Sequence, residues 1–166
     1  RSHGLSGGAV QMGTIPQEDD LKLRQSLAEN LEVTLSRKLE LDIYDKIDLG
    51  EYRLAIISTN QLFVFWTRRE YTKILKKMGK SEQEAKNRMW NDGRGEFHHI
   101  KTIYGMIDSD IGSNLLHNEE FAYWNYHCRE KRNRIVHQGV EANKKDADKA
   151  LQYTSTAMTE FKRRFN

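Results

Sequence analysis

Residues 54–66 read L-A-I-I-S-T-N-Q-L-F-V-F-W, and whether this run is strand or helix decides the fold class of the whole chain. β-Branched and aromatic residues crowd it, which is strand-like content. Its surroundings point the other way. Between Glu51 and Met78 the bulky residues Ile56, Phe63, Trp66, Ile74 and Met78 recur close to helical period, with Phe65 and Tyr71 adding bulk. A span of that length is a helix rather than a strand. We therefore expect a central and most buried helix, stopped at Gly79.

Upstream, from Gln17 to about Leu49, leucines at positions 27, 31, 35 and 39 recur every fourth residue with charges between them. This predicts a first helix with a single leucine stripe, interrupted near Asp42. Downstream, Ser81 and Glu84 have the form of a capping box that opens a short helix to about Trp90, after which N-D-G-R-G breaks it. Phe97, Ile100, Tyr104, Ile107 and Ile111 predict a further helix. Asn118 is placed to cap another, running to about Gln138, with Phe121, Trp124, Cys128 and Ile135 inward and Gly139 as its stop. The last segment, with Ala147, Leu151, Thr154, Met158, Phe161 and Phe165 four or three apart, has the cleanest stripe of all.

Four or five amphipathic helices joined by short links bury their stripes together, so the expected fold is all-α, an up-and-down four/five-helix bundle. A single proline, Pro16, leaves few helix breakers. Residues 1–16 read as a flexible leader or an expression scar, and 17–166 as one helical-bundle domain. No apolar stretch approaches the roughly 20 residues that span a bilayer, so no membrane partner is expected. One cysteine, Cys128, has no internal partner, which makes the reducing cytoplasm the expected location.

A net charge of +3 decides nothing about nucleic acid by itself, since 24 acidic residues nearly offset 27 basic ones. Clustering does more. The stretch R-E-K-R-N-R-I-V-H-Q-G, Arg129 to Gly139, concentrates four basic residues, one acid, Asn133 and His137 at the end of an otherwise core-facing helix. At about 100° per residue, Tyr126, Glu130, Asn133 and His137 share one polar side. Arg132 lies roughly 140° from His137 on an ideal helix. A long side chain, an unwound helix end or a second subunit is needed to join them.

Arg132, Asn133 and His137 form R-N-x-x-x-H, and this resembles the RxxxxH motif of the HEPN ribonuclease superfamily. The following Gly139 and the final amphipathic helix also look like that family's ending. The resemblance covers mainly residues 118–165. It implies a HEPN-like bundle acting as a metal-independent endoribonuclease without cofactor, as a homodimer whose motif helices face each other. His137 would serve as general acid or base for attack of the ribose 2′-hydroxyl on the adjacent phosphate. Arg132 would stabilise the phosphorane charge, and Asn133 would orient His137 or hold the phosphate. Arg129, Lys131 and Arg134 would attract the RNA backbone. Tyr126 would offer a stacking surface. A toxin or phage-defence role, with an antitoxin or a nucleotidyltransferase-type partner, follows from the resemblance alone.

The rival reading from another class is a non-catalytic helical RNA-binding or protein-interaction module. In that case Arg132 and His137 merely complement the negative end of a helix dipole. His98 and His99 with Glu96 suggest a metal site only superficially, because adjacent histidines project about 100° apart on a helix and no third ligand is spaced to join them. Cys128, on the apolar stripe, reads as an inert buried thiol.

Overall fold

The computed structural model describes residues 17–81, 83, 84, 87 and 95–164, with backbone alone for 28–35. Among them the chain is helical and contains no strand. The helices are α1 (Gln17–Asp48), α2 (Tyr52–Lys77), α3 (Glu96–Ile111), α4 (Glu119–Trp124), a π-helical segment (Asn125–Glu130), α5 (Lys131–Gln138) and α6 (Lys144–Arg163). The ambiguous run 54–66 is thus helix, as its length and flanks require. The chain divides into two compact units, residues 1–37 and 38–166, with the division inside α1. In the first unit the described part is helical, with Leu21, Leu23 and Leu27 exposed.

The second unit is a helical bundle centred on α2, which packs against α6, α3 and the continuous α4–π–α5 helix. Its core is built from aromatic pairs at ordinary packing distances: Phe63 and Trp124 with ring centroids 4.3 Å apart, Tyr104 and Phe121 at 4.7 Å, Trp66 and Phe161 at 5.3 Å. Such pairs add directional attraction to the burial of their large apolar area. Ile56, Phe63, Trp66 and Tyr71 are buried in α2, as the periodicity predicts, whereas Met78, at the helix end, is exposed.

Of the leucine stripe of α1, Leu27 is exposed and Leu39 packs against the core, while the side chains of Leu31 and Leu35 lie outside the described residues; further on, Ile43 and Ile47 are buried. No break occurs at Asp42, because Asp42 accepts a hydrogen bond from the Lys46 ammonium, one turn on, and supports the helix there. The i, i+4 series therefore continues from Leu39 through two isoleucines that the leucine count passed over.

Helix ends follow the residues that predict them. After α2, Gly79 takes φ +79°, Lys80 N–H donates to the Leu75 carbonyl and Gly79 N–H to that of Lys76, so two otherwise orphaned carbonyls are satisfied. The Ser81–Glu84 capping box is formed in both directions. The short helix to Trp90 and its N-D-G-R-G ending lie outside the described residues, apart from helical positions 83, 84 and 87. The α3–α4 link is tied by Asp108, whose carboxylate accepts from the Leu115 and Leu116 amides and from the Ser113 hydroxyl. In α6, Ala147, Thr154 and Phe161 are buried, joined by Ala150 and Ala157, while Leu151 and Met158 are half-buried; Phe165 lies outside the described residues.

Candidate functional site

The helix that carries the motif runs from Glu119 to Gln138. Asn118 caps it, its side-chain oxygen accepting from Phe121 N–H at 3.1 Å. Gly139 ends it in the left-handed conformation at φ +66°. Phe121, Trp124, Cys128 and Ile135 all point into the core. What the sequence does not announce is the middle. Asn125–Glu130 is wound as a π-helix, with hydrogen bonds spanning five residues instead of four.

That wide turn decides which side chains meet. Trp124 and Arg129 are five residues apart, which would leave them roughly 140° apart on an α-helix. A π turn brings them to the same side, and Asn133 follows four residues later on regular α5. Trp124, Arg129, Arg132 and Asn133 accordingly line one cavity of 210 Å³, together with Asn60 from α2 and Phe97 from α3. The Arg129 guanidinium sits 3.7 Å from the Phe97 ring centroid and donates through Nε to Asn125. Burial lowers its pKa, opposed by the Glu130 carboxylate. Arg132 Nη1 donates to Asn133 Oδ1 at 3.1 Å. Glu96, at the start of α3, also lines the cavity.

His137 is exposed and is not among the residues that line this cavity. Within one chain, then, Arg132 and Asn133 are brought together and His137 is left on the surface, one turn beyond Asn133. Arg134 is exposed. Lys131 is engaged: its ammonium donates to the Glu141 carbonyl at 3.0 Å and lies 3.5 Å from Asp146, holding the α5–α6 link. Tyr126, 58% exposed, turns toward a different cluster, its ring 4.9 Å from that of His127. His127 in turn stacks on Tyr153 at 4.6 Å, and Tyr153 meets Tyr123 at 5.1 Å. The grouping of Tyr126 and Glu130 with Asn133 assumed uniform α-helical winding, and the π turn shifts that phase.

Asn60 is the cavity residue that the motif did not reveal. Its signal was available: a polar amide in the middle of the apolar run 54–66, on a helix expected to be buried. It is 9% exposed, and its Oδ1 has no hydrogen-bond partner among the described residues.

The histidine pair serves separate neighbours. His99 is buried with Nδ1 3.4 Å from Arg68 Nη2, and His98 Nε2 lies 3.3 Å from the Thr102 hydroxyl. No group of three or more His, Cys, Asp or Glu among the described residues is arranged to hold a metal. No helix among them is long and apolar enough to cross a membrane. No protein-family model, curated protein or solved structure matches the chain.

Proposed function

We propose that this chain is a metal-independent endoribonuclease that cleaves RNA at a site shared by two subunits. The observation that supports it is the disposition of the motif on one helix: Arg132 and Asn133 hydrogen-bonded together beside a cavity, and His137 on the open surface one turn further along. A single chain offers a phosphate-binding pair beside a cavity that His137 does not line. A two-fold pairing of motif helices would set each His137 against the other subunit's Arg132 and Asn133.

In that arrangement one His137 accepts the proton of the ribose 2′-hydroxyl as its oxygen attacks the adjacent phosphorus. The second donates a proton to the departing 5′-oxygen as the P–O5′ bond breaks. The products are a 2′,3′-cyclic phosphate and a free 5′-hydroxyl. Arg132 stabilises the charge on the pentacoordinate phosphorus, and its bond to Asn133 fixes the direction of its planar donor fork. The chemistry requires the 2′-hydroxyl, so DNA is not a substrate.

The test is cleavage of end-labelled single-stranded RNA in EDTA by the chain and by His137→Ala, with product ends identified. Loss of about 10²-fold or more in the variant, with cyclic-phosphate ends in the parent, is the expected result. Equal activity in both, or intact RNA throughout, overturns this reading in favour of a non-catalytic RNA-binding or interaction module.

A further inference from the structure

We infer that an RNA strand held at Arg132 continues past Phe97 to Lys101, which binds a flanking phosphate. This rests on the ribonuclease reading and deepens it, by giving the bound strand a path off the motif helix and onto α3.

Lys101 is remote from the motif in sequence, yet the fold brings it close. Its ammonium stands 4.8 Å from the Phe97 ring centroid, and the Arg129 guanidinium stands 3.7 Å from the same centroid. The two cations are therefore no further apart than the sum of those distances, which is less than the Debye length of about 10 Å at 0.1 M salt. They attract an anion together. Phe97 and Arg129 line the cavity with Arg132 and Asn133, so Lys101 is a near neighbour of the motif.

The carboxylates of this region have cations of their own. Glu130 lies 3.8 Å from Arg129 and offsets that charge. Burial lowers the pKa of Arg68, and Glu96 is near enough to oppose the shift. Arg132 and Lys101 are left uncompensated. Arg132 donates to Asn133 and Lys101 rests against Phe97, and neither forms an ion pair among the described residues. Lys101 is exposed to solvent. Its contact with the ring also restrains a long side chain, so less rotamer freedom is lost when a phosphate is bound. A single phosphate at Arg132 would leave Lys101 without an anion. A chain of repeating phosphates serves both.

The experiment measures binding of a 2′-O-methyl oligonucleotide of about ten residues between about 50 and 200 mM salt. This probe has the RNA backbone but no free 2′-hydroxyl, so it is not cleaved. The parent chain is compared with Lys101→Gln, Lys101→Arg and Lys76→Gln. Lys76, exposed on α2, makes the same change in net charge about 18 Å along the helix from the cavity residue Val64. Lys101→Gln should lower the slope of log affinity against log salt by about 0.7, the counter-ion release of one single-strand phosphate contact. Lys101→Arg and Lys76→Gln should keep the parent slope. Equal loss in both glutamine variants would reduce the effect to net charge and overturn the inference, as would no binding by the parent. A lower urea-unfolding midpoint for Lys101→Gln with the parent slope would make Lys101 a support of α3 alone, and would also overturn it. The expected slopes in a chain that leaves ordinary RNA intact would sink the ribonuclease reading alone. Cleavage of ordinary RNA with an unchanged slope in Lys101→Gln would sink the Lys101 path alone.

Discussion

The guanidinium of Arg129 lies over Phe97, 3.7 Å from the ring centroid, and so fastens the wide turn of the motif helix to the first turn of α3. The same group donates to Asn125 within the turn. A lysine reproduces the charge but neither the planar face nor the Nε donor. Arg129→Lys should therefore destabilise the fold by about 1–2 kcal/mol in urea unfolding, combining a lost stack and a lost charged hydrogen bond. An unchanged midpoint would mean that the stack contributes nothing.

Gly139 closes the motif helix at φ +66° with no atom within 4 Å of where a Cβ would stand. The space is open, so the strain of Gly139→Ala is conformational alone. We expect a loss of about 1 kcal/mol, read as a lower melting temperature. Stability equal to the parent would show that the helix end re-forms in another conformation.

Burial pushes the Cys128 thiol up to about 12, despite the Thr154 and Trp124 side chains, which favour the thiolate. The native protein should resist thiol reagents at pH 8 and react fully once unfolded. Because the folded pKa lies above the ordinary 9.0, this thiol's contribution to stability is complete below pH 9 and falls away between pH 9 and 12. Cys128→Ala should flatten that alkaline decline. Rapid labelling of the folded chain would contradict the burial.

For His127 the sign is reversed. Burial, and then the nearby Lys149 ammonium, lowers its pKa from 6.5, so the folded state favours the neutral ring that stacks on Tyr153. Its stabilising contribution is present above pH 6.5 and is lost as the pH falls. An NMR titration should find the His127 midpoint below that of an unstructured histidine, and Lys149→Ala should raise it in part. A midpoint at or above 6.5 would be the contrary result.

Much of this architecture is legible in the chain because helix ends are local events. Asn118, Ser81 with Glu84, Gly79 and Gly139 each act on backbone groups within a few residues of themselves, and each performs the role its type predicts. The apolar period of 97–107 and of α6 is legible for the same reason, whereas Ile111, the last residue of the α3 stripe, is exposed. Positions set by tertiary packing are less so. Ile43 and Ile47 enter the core beyond the leucine series, and Lys131 is drawn away from the motif by Glu141 and Asp146, ten and fifteen positions later. The site was half visible: Arg132, Asn133 and His137 come from one short motif, whereas Asn60 and Phe97 join the cavity from helices remote in sequence.

The wide turn at Asn125–Glu130 amounts to one surplus residue accommodated inside a helix. Deleting a single residue there would let the helix wind regularly from Asn118 to Gly139, with Trp124 and the present Arg129 four positions apart and still on one side of it. Trp124 would keep its place in the core, and Arg132 and Asn133 theirs beside the cavity. An α-helix one residue shorter could therefore present the same motif in the same direction, and what the surplus residue changes is the turn itself.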